Sequence, residues 1–196
     1  MRAFFLVTNL AKTEINPLNL QLKIATQEDV PFFFRLLHQG AKNGRYGEHL
    51  KTPKEARIAT NSWVLMGADR RTGNSVKVVI AWKDGQRVGA FSLAGSKDYP
   101  DLLEIGTFSI ADAFRKKGFG SILLNSVLTH WSNQYDLKAH CLKASEDFYR
   151  MLIKKGFRLV SSSESSSRIV YLDKTSVKKD CIPNLETKVS HYLVKR

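Results

Sequence analysis

The stretch Arg115-Lys116-Lys117-Gly118-Phe119-Gly120-Ser121 lies between an apolar run, residues 102–110, and an amphipathic run, residues 121–131. This order predicts a strand, a tight turn and the first turn of a helix. Glycine lets the backbone approach a ligand closely and adopt dihedrals that a Cβ forbids. The unpaired N–H groups and the positive dipole end of the following helix bind phosphate. The stretch predicts a pyrophosphate-binding turn, and the alternative is a helix start with packing glycines and solvated lysines.

The composition is typical of one globular domain. The chain has 196 residues, of which 43% are hydrophobic and 25% are charged, enough to bury a sizeable core. No apolar run approaches the length that crosses a bilayer, so we expect no membrane partner. Cys141 and Cys181 form neither a metal-ligand spacing nor a disulfide framework, so we expect no metal and a reducing, cytoplasmic location.

Basic residues give the chain a net charge of +13, which favours association with anions but says nothing about fold. They are densest at residues 115–117, at residues 154–155 and in the tail from residue 174 onward. An anionic cofactor would account for the first cluster only, so an anionic partner remains open. We divide the chain into an N-terminal extension (1–19), a domain (20–174) and a basic C-terminal extension (175–196).

Hydrophobic periodicity and turn residues predict alternating strands and helices. Asp29 is a plausible helix cap, Thr52-Pro53-Lys54-Glu55 is a capping box, and Lys83-Asp84-Gly85-Gln86 indicates a hairpin turn. Residues 40–50 and 161–167 are predicted to be loops. The predicted strands are 21–25, 76–82, 87–93, 102–110, 137–142, 157–160 and 169–172, and the predicted helices start near residues 29, 52, 121 and 145. Such alternation implies an α/β fold with a mixed sheet and helices on both faces.

The order of elements, with a glycine turn after the fourth strand, resembles the GNAT superfamily of N-acetyltransferases over residues 20–174. The most specific part is Glu104-Ile105-Gly106-Thr107-Phe108-Ser109-Ile110 followed at a fixed distance by the glycine turn, which is similar to the family's acetyl-CoA signature. Lys155-Gly156-Phe157 is similar to the family's helix-Gly-Phe element. The resemblance implies a mostly antiparallel central sheet whose fourth and fifth strands splay apart at a bulge, which fits Gly106.

The resemblance also implies that acetyl-CoA is a co-substrate. Main-chain amides of residues 116–121 would hold the pyrophosphate. Main-chain groups of Phe108 and Ile110 would pair with the pantetheine arm as though it were an extra strand, and an amide of that strand would polarise the thioester carbonyl. The cofactor-binding residues predicted in this way are Phe108, Ser109, Ile110, Arg115, Lys116, Lys117, Gly118, Phe119, Gly120, Ser121 and Ser145, where Ser145 matches the family's frequent asparagine.

The resemblance implies Glu104 as the general base, because some family members place one six residues before the position of Ile110. A carboxylate there could take the proton of an amine through a water, whereas the alternative is an ordinary solvent-facing glutamate. Many family members have a tyrosine acid where this chain has Leu152. Tyr149, one helical turn earlier, is the candidate acid, and packing in the core is the alternative.

Other candidate side chains carry weaker signals. His38 and His49 flank the loop where this family usually shapes its acceptor pocket, with Arg45, Tyr46 and Glu48 nearby. A loop histidine is more often exposed than catalytic. His140 and Cys141 are adjacent in a predicted strand and would point to opposite faces, which argues against a nucleophile–base pair.

The sequence therefore predicts an acyl-CoA-dependent N-acetyltransferase that works by direct attack of an amine on the thioester. The acceptor is undetermined among a small molecule, a peptide and an RNA-linked amine, and a homodimer is left open. The alternative is a non-catalytic acyl-CoA-binding or nucleic-acid-associated module of the same fold, suggested by the absent tyrosine and the high basicity. No known DNA- or RNA-reading motif is present in the sequence.

Overall fold

The computed structural model describes residues 20–96, 98–162 and 167–174. The two predicted extensions, 1–19 and 175–196, lie outside the described residues. Strands and helices follow one another in the predicted order. They are β1 Gln21–Ile24, α1 Val30–Lys42, α2 Pro53–Asn61, β2 Val76–Lys83, β3 Gln86–Gly95, β4 Leu102–Ile110, α3 Phe119–Trp131, β5 Asp136–Leu142, α4 Glu146–Lys154, β6 Arg158–Ser162 and β7 Ser167–Leu172.

The strands form one seven-stranded sheet in the order β1-β2-β3-β4-β5-β7-β6. Neighbours pair antiparallel except β4 and β5, which pair parallel. Asp84 and Gly85 join β2 to β3 with φ values of 48° and 75°, the geometry of a turn that matches the twist of a hairpin. The predicted α/β fold with a mixed, mostly antiparallel sheet is confirmed.

Alternation along β2 divides the core between the two faces of the sheet. Val78 and Ile80 pack with the apolar side of α1, whereas Val79 and Ala81 belong to the cluster that holds α3. Helices therefore cover both faces, as expected. Across the described ranges, no helix is both long and apolar enough to cross a bilayer.

The predicted bulge interrupts β4 at Gly106. Ser92 of β3 stands opposite both Gly106 and Thr107, which shifts the register of the two strands by one residue. The Thr107 amide and hydroxyl both donate to Ser92 Oγ, at 2.9 Å each. The serine hydroxyl thus satisfies a buried main-chain donor that the bulge has removed from the ladder.

Several of the predicted helix and loop boundaries differ from the structure. The prediction of a loop over 40–50 was wrong at both ends, because α1 continues to Lys42 and a 3₁₀ turn occupies Glu48–Lys51. Gly40 is buried inside α1, so it is a packing residue and not a helix breaker. Thr52 caps α2 as predicted, with its Oγ1 accepting from the Glu55 amide at 3.4 Å, which is one of the two bonds of a capping box. The last turn, Ser62–Met66, is π-helical.

Candidate active site

The fourth and fifth strands separate beyond the bulge. Their parallel pairing ends at Ile105 and Ala139, whereas β4 continues to Ile110 and β5 to Leu142. This confirms the predicted splay. We call the opening between residues 108–110 of β4 and 140–142 of β5 the β4–β5 gap.

The main chain of β4 faces this gap at alternate residues. Ala111 donates its amide to the Val88 carbonyl at 2.9 Å, and Ser109 stands opposite Ala90. Because hydrogen-bonded and non-hydrogen-bonded pairs alternate in an antiparallel ladder, Phe108 and Ile110 direct their N–H and C=O groups away from β3. Both residues were predicted to hold a pantetheine arm, and their main-chain groups do face the gap.

The glycine turn lies at the end of β4 and starts α3. Lys116 and Gly118 have φ values of 58° and 83°, and Gly118 is the residue that precedes the helix. The first helical hydrogen bond runs from the Ile122 amide to the Gly118 carbonyl at 3.2 Å. The earlier amides, of residues 119–121, therefore point out of the helix end. This arrangement fits a phosphate group.

The cationic side chains before the turn have different positions. Arg115 is held back against the protein, donating from Nε to the Ile110 carbonyl at 3.1 Å and pairing with Asp112 at 2.9 Å. Lys116 and Lys117 are exposed. Arg115 thus joins the turn to the last residue of β4, while the two lysines remain available to an anion.

A cleft of about 520 Å³ opens on the opposite face of the sheet from α3. Its walls come from β4, from β5, from the loop of residues 43–47, and from the turn over residues 69–74. Glu104 lines this cleft, where its carboxylate pairs with Lys138 Nζ at 2.7 Å. The Glu104 side chain keeps 34% of its surface exposed, so it is partly accessible from the cleft.

The predicted acid, Tyr149, lies elsewhere. The Arg168 guanidinium stacks on its ring at 3.8 Å, and Arg168 also pairs with Glu146 at 2.7 Å. Tyr149 packs against the core below α3 and is not among the described residues that line the cleft. Leu152, at the family's tyrosine position, is fully buried. The described part of α4 thus brings no phenol into the cleft.

Ser145 sits immediately before α4 and contacts the neighbouring loop. Its hydroxyl donates to the Arg45 carbonyl at 3.3 Å. The serine therefore fixes the loop of residues 43–47 to the far side of the β4–β5 gap.

Tyr46 had no predicted role in the site. Its hydroxyl donates to the Phe108 carbonyl at 3.1 Å and lies 2.5 Å from Ser109 Oγ. Burial raises the pKa of Tyr46 above its ordinary value, and the hydrogen bonds to Ser109 and Phe108 oppose this only in part. The only sequence signal was a single aromatic residue in a short loop between glycines.

The remaining candidate side chains are the histidines and Cys141. His38 contacts the Lys51 carbonyl at 3.0 Å, and burial, followed by the nearby Arg71, lowers the pKa of His49. His140 lines the cleft, whereas Cys141 is buried on the other face, where burial raises its thiol pKa to about 11. The expected opposite orientation is confirmed. In the described residues, no cluster of three or more potential metal ligands occurs.

Comparison with known proteins shows the relationships of the chain. The family model of the acetyltransferase (GNAT) domain matches residues 19–158. The solved structure of RimL, the ribosomal L7/L12 alpha-N-protein acetyltransferase in complex with coenzyme A, is 16% identical with a TM-score of 0.59, covering 82% of this chain and 98% of that chain. Among curated protein sequences, none matches.

Two further structures have the same fold. AAC(6')-Ib in complex with ribostamycin and coenzyme A is 14% identical with a TM-score of 0.61, covering 82% of this chain and 98% of that one. An acetyltransferase from Thermus thermophilus is 14% identical with a TM-score of 0.59, covering 77% of this chain and 96% of that one. At these identities the structural matches establish the fold alone.

Proposed function

The chain belongs to the GNAT acetyltransferase family, and on that premise we propose that it transfers the acetyl group of acetyl-CoA to an amine nitrogen by direct attack. One observation carries the proposal. β4 leaves β5 after Ile105, so that the main-chain groups of Phe108 and Ile110 face a gap beside the first turn of α3. The matched structures of RimL and AAC(6')-Ib contain coenzyme A, which supports acetyl-CoA as the donor.

The turn and the β4 edge suit the two chemically different parts of that donor. The amides of residues 119–121 and the exposed Lys116 and Lys117 offer donors and positive charge to a pyrophosphate. The main-chain groups of Phe108 and Ile110 offer a strand edge to the amides of a pantetheine arm. Ile110 links the two regions, because Arg115 donates to its carbonyl and Gly120 lies beside its side chain.

Glu104 is the proposed acceptor for the proton of an incoming amine. Its carboxylate is on the same face as the acceptor cleft and is partly accessible, so it could take the proton directly or through a water. Lys138, at 2.7 Å from that carboxylate, holds the carboxylate in place by an ion pair.

A main-chain amide of β4 would stabilise the negative charge that develops on the thioester oxygen. The Phe108 amide points into the gap two residues beyond the bulge, where a fixed dipole needs no reorganisation during the reaction. The thioester supplies the electrophilic carbonyl carbon and the thiol leaving group. The amine supplies the nucleophile, so that donor and acceptor react without a covalent intermediate on the protein.

Thermal unfolding with acetyl-CoA tests the donor half of the proposal. At a concentration one hundred times the Kd, ligand binding adds about 2.7 kcal/mol, which raises the Tm of a domain of this size by about 5 to 11 °C. Gly120→Glu should abolish the shift, because a carboxylate would then stand beside the helix N-terminus. No shift of the wild-type Tm at millimolar acetyl-CoA would refute donor binding.

Transfer of labelled acetyl groups tests the acceptor half. Label from acetyl-CoA should appear in the protein, RNA or small-amine fraction of a cell lysate, and the labelled fraction identifies the acceptor class. Glu104→Gln serves as the control, since it should bind the donor and transfer slowly. A Tm shift without any transfer would instead indicate the non-catalytic acyl-CoA-binding module.

A further inference from the structure

Tyr46 reaches the edge of the β4–β5 gap from a different part of the chain. Its hydroxyl donates to the Phe108 carbonyl at 3.1 Å and lies 2.5 Å from Ser109 Oγ, across 62 residues of sequence. Phe108 directs that carbonyl into the gap. The phenol is therefore next to the strand edge to which the donor is proposed to pair.

The loop of residues 43–47 holds this phenol in place. The ring of Tyr46 packs on Gly40, where an added Cβ would stand 2.2 Å from ring carbon Cε2, so only glycine permits this contact. The Arg45 amide donates to the Gly40 carbonyl at 2.9 Å, and the Arg45 carbonyl accepts from Ser145 at 3.3 Å. The loop is thus fixed to α1 on one side and to α4 on the other.

The direction of the hydrogen bonds makes Tyr46 a donor. A phenol has one proton, and Tyr46 donates it to the Phe108 carbonyl. The short contact with Ser109 must then be a bond from the serine hydroxyl to the phenolic oxygen. Burial raises the pKa of Tyr46, so the phenol keeps its proton throughout the neutral range.

The other candidate phenol, Tyr149, is engaged by a cation. Tyr149 is covered by the Arg168 guanidinium at 3.8 Å, and the fully buried Leu152 occupies the position where a tyrosine would point inward from α4. Tyr46, in contrast, contacts the gap-facing main chain of β4 at the Phe108 carbonyl.

We propose that Tyr46 is a catalytic residue, the proton donor to the sulfur atom that leaves when the acetyl group is transferred. This inference rests on the proposed function. The C–S bond breaks, its electron pair stays on sulfur, and the sulfur takes the phenolic proton. The phenolate then recovers a proton from solvent through the Ser109 hydroxyl. The amine nitrogen gives one proton to Glu104, which passes it to solvent, so one proton is taken up and one is released.

Paired phenylalanine variants test the assignment. Tyr46→Phe should lower kcat by about 10²-fold or more, the usual size of general-acid catalysis. Tyr149→Phe, the matched control, should leave kcat unchanged. The readout is thiol release from acetyl-CoA with the lysate fraction that accepts label from the wild type. Replacement of Tyr46 by 3-fluorotyrosine, which keeps an ionisable hydroxyl of the same shape, should restore most of the rate.

Calorimetric titration with acetyl-CoA separates the inference from the function on which it rests. Tyr46→Phe should bind acetyl-CoA within about threefold of the wild-type Kd, which also shows that the variant is folded. An unchanged kcat in Tyr46→Phe, or a loss confined to Tyr149→Phe, overturns the role of Tyr46 and leaves the acetyltransferase intact. A wild-type protein that does not bind acetyl-CoA, or binds it and transfers nothing, overturns both.

Discussion

Gly118→Ala should destabilise the protein through the backbone alone. Gly118 has a φ of 83°, and a Cβ added there meets nothing within 4 Å, so the substitution creates no clash. A left-handed conformation costs an L-residue about 1–2 kcal/mol. Alanine also has less backbone entropy than glycine in the unfolded chain, which offsets about 0.4–1 kcal/mol of this cost. With the midpoint of each range, the free energy of unfolding falls by about 0.8 kcal/mol, or about 2 to 3 °C in Tm for a domain of this size.

Gly120→Ala is the matched control, two residues along the same turn. There a Cβ would lie 3.6 Å from Met151 Cε, which is ordinary contact, and the residue is inside α3, where alanine is favoured over glycine. Differential scanning calorimetry without ligand should therefore show a lower Tm for Gly118→Ala and an equal or higher Tm for Gly120→Ala. Equal losses in both variants, or no loss in Gly118→Ala, would refute the left-handed turn.

Three further predictions concern the rate, the pH dependence and the sheet. Glu104→Gln should lower kcat by about 10²-fold or more, with the deficit shrinking as pH rises and solvent supplies neutral amine; a pH-rate profile identical to the wild type would contradict this. The folded-state pKa of Cys141 is raised to about 11 from an ordinary 9.0, so the unfolded chain loses this proton first and stability should fall between these pH values. In urea unfolding over this pH range, the free energy of unfolding should fall less in Cys141→Ala than in the wild type. An equal fall in both proteins would count against a buried thiol. Asp136→Asn weakens the bonds from the Tyr171 hydroxyl at 2.6 Å and the Lys174 amide at 2.8 Å, so its unfolding free energy should drop by about 1–3 kcal/mol, and an unchanged urea midpoint would be inconsistent with these bonds.

Local sequence patterns predicted most of the fold because turns and helix caps are determined by residues that are close together in the chain. The Asp84-Gly85 turn and the Thr52 helix cap each depend on residues near to them in the chain. Gly40 misled the prediction, since its lack of a side chain is used for packing and not for turning. Nothing in residues 40–50 reveals that a ring from the following loop lies on the helix.

The parts of the site that were not predicted from the sequence depend on contacts between segments that are distant in the chain. The glycine turn and the β4 edge could be located because both lie in one stretch of chain, residues 104–121. Tyr46 meets Phe108 only after α1 and the sheet have packed together, and Glu104 meets Lys138 only through the parallel pairing of β4 and β5. Tyr149 was a reasonable candidate from helical spacing, yet the Arg168 that covers it comes from β7.

Amide hydrogen exchange with and without acetyl-CoA tests the central claim most directly. The account predicts slower exchange at the amide of Phe108, where the thioester oxygen binds, at the amide of Ile110, where the pantetheine arm pairs, and at residues 119–121, where the pyrophosphate binds. Gly120→Glu should lose the protection at both places. Protection confined to other parts of the chain, or no protection at an acetyl-CoA concentration that raises the Tm, would contradict a donor site built from the β4 edge and the N-terminus of α3.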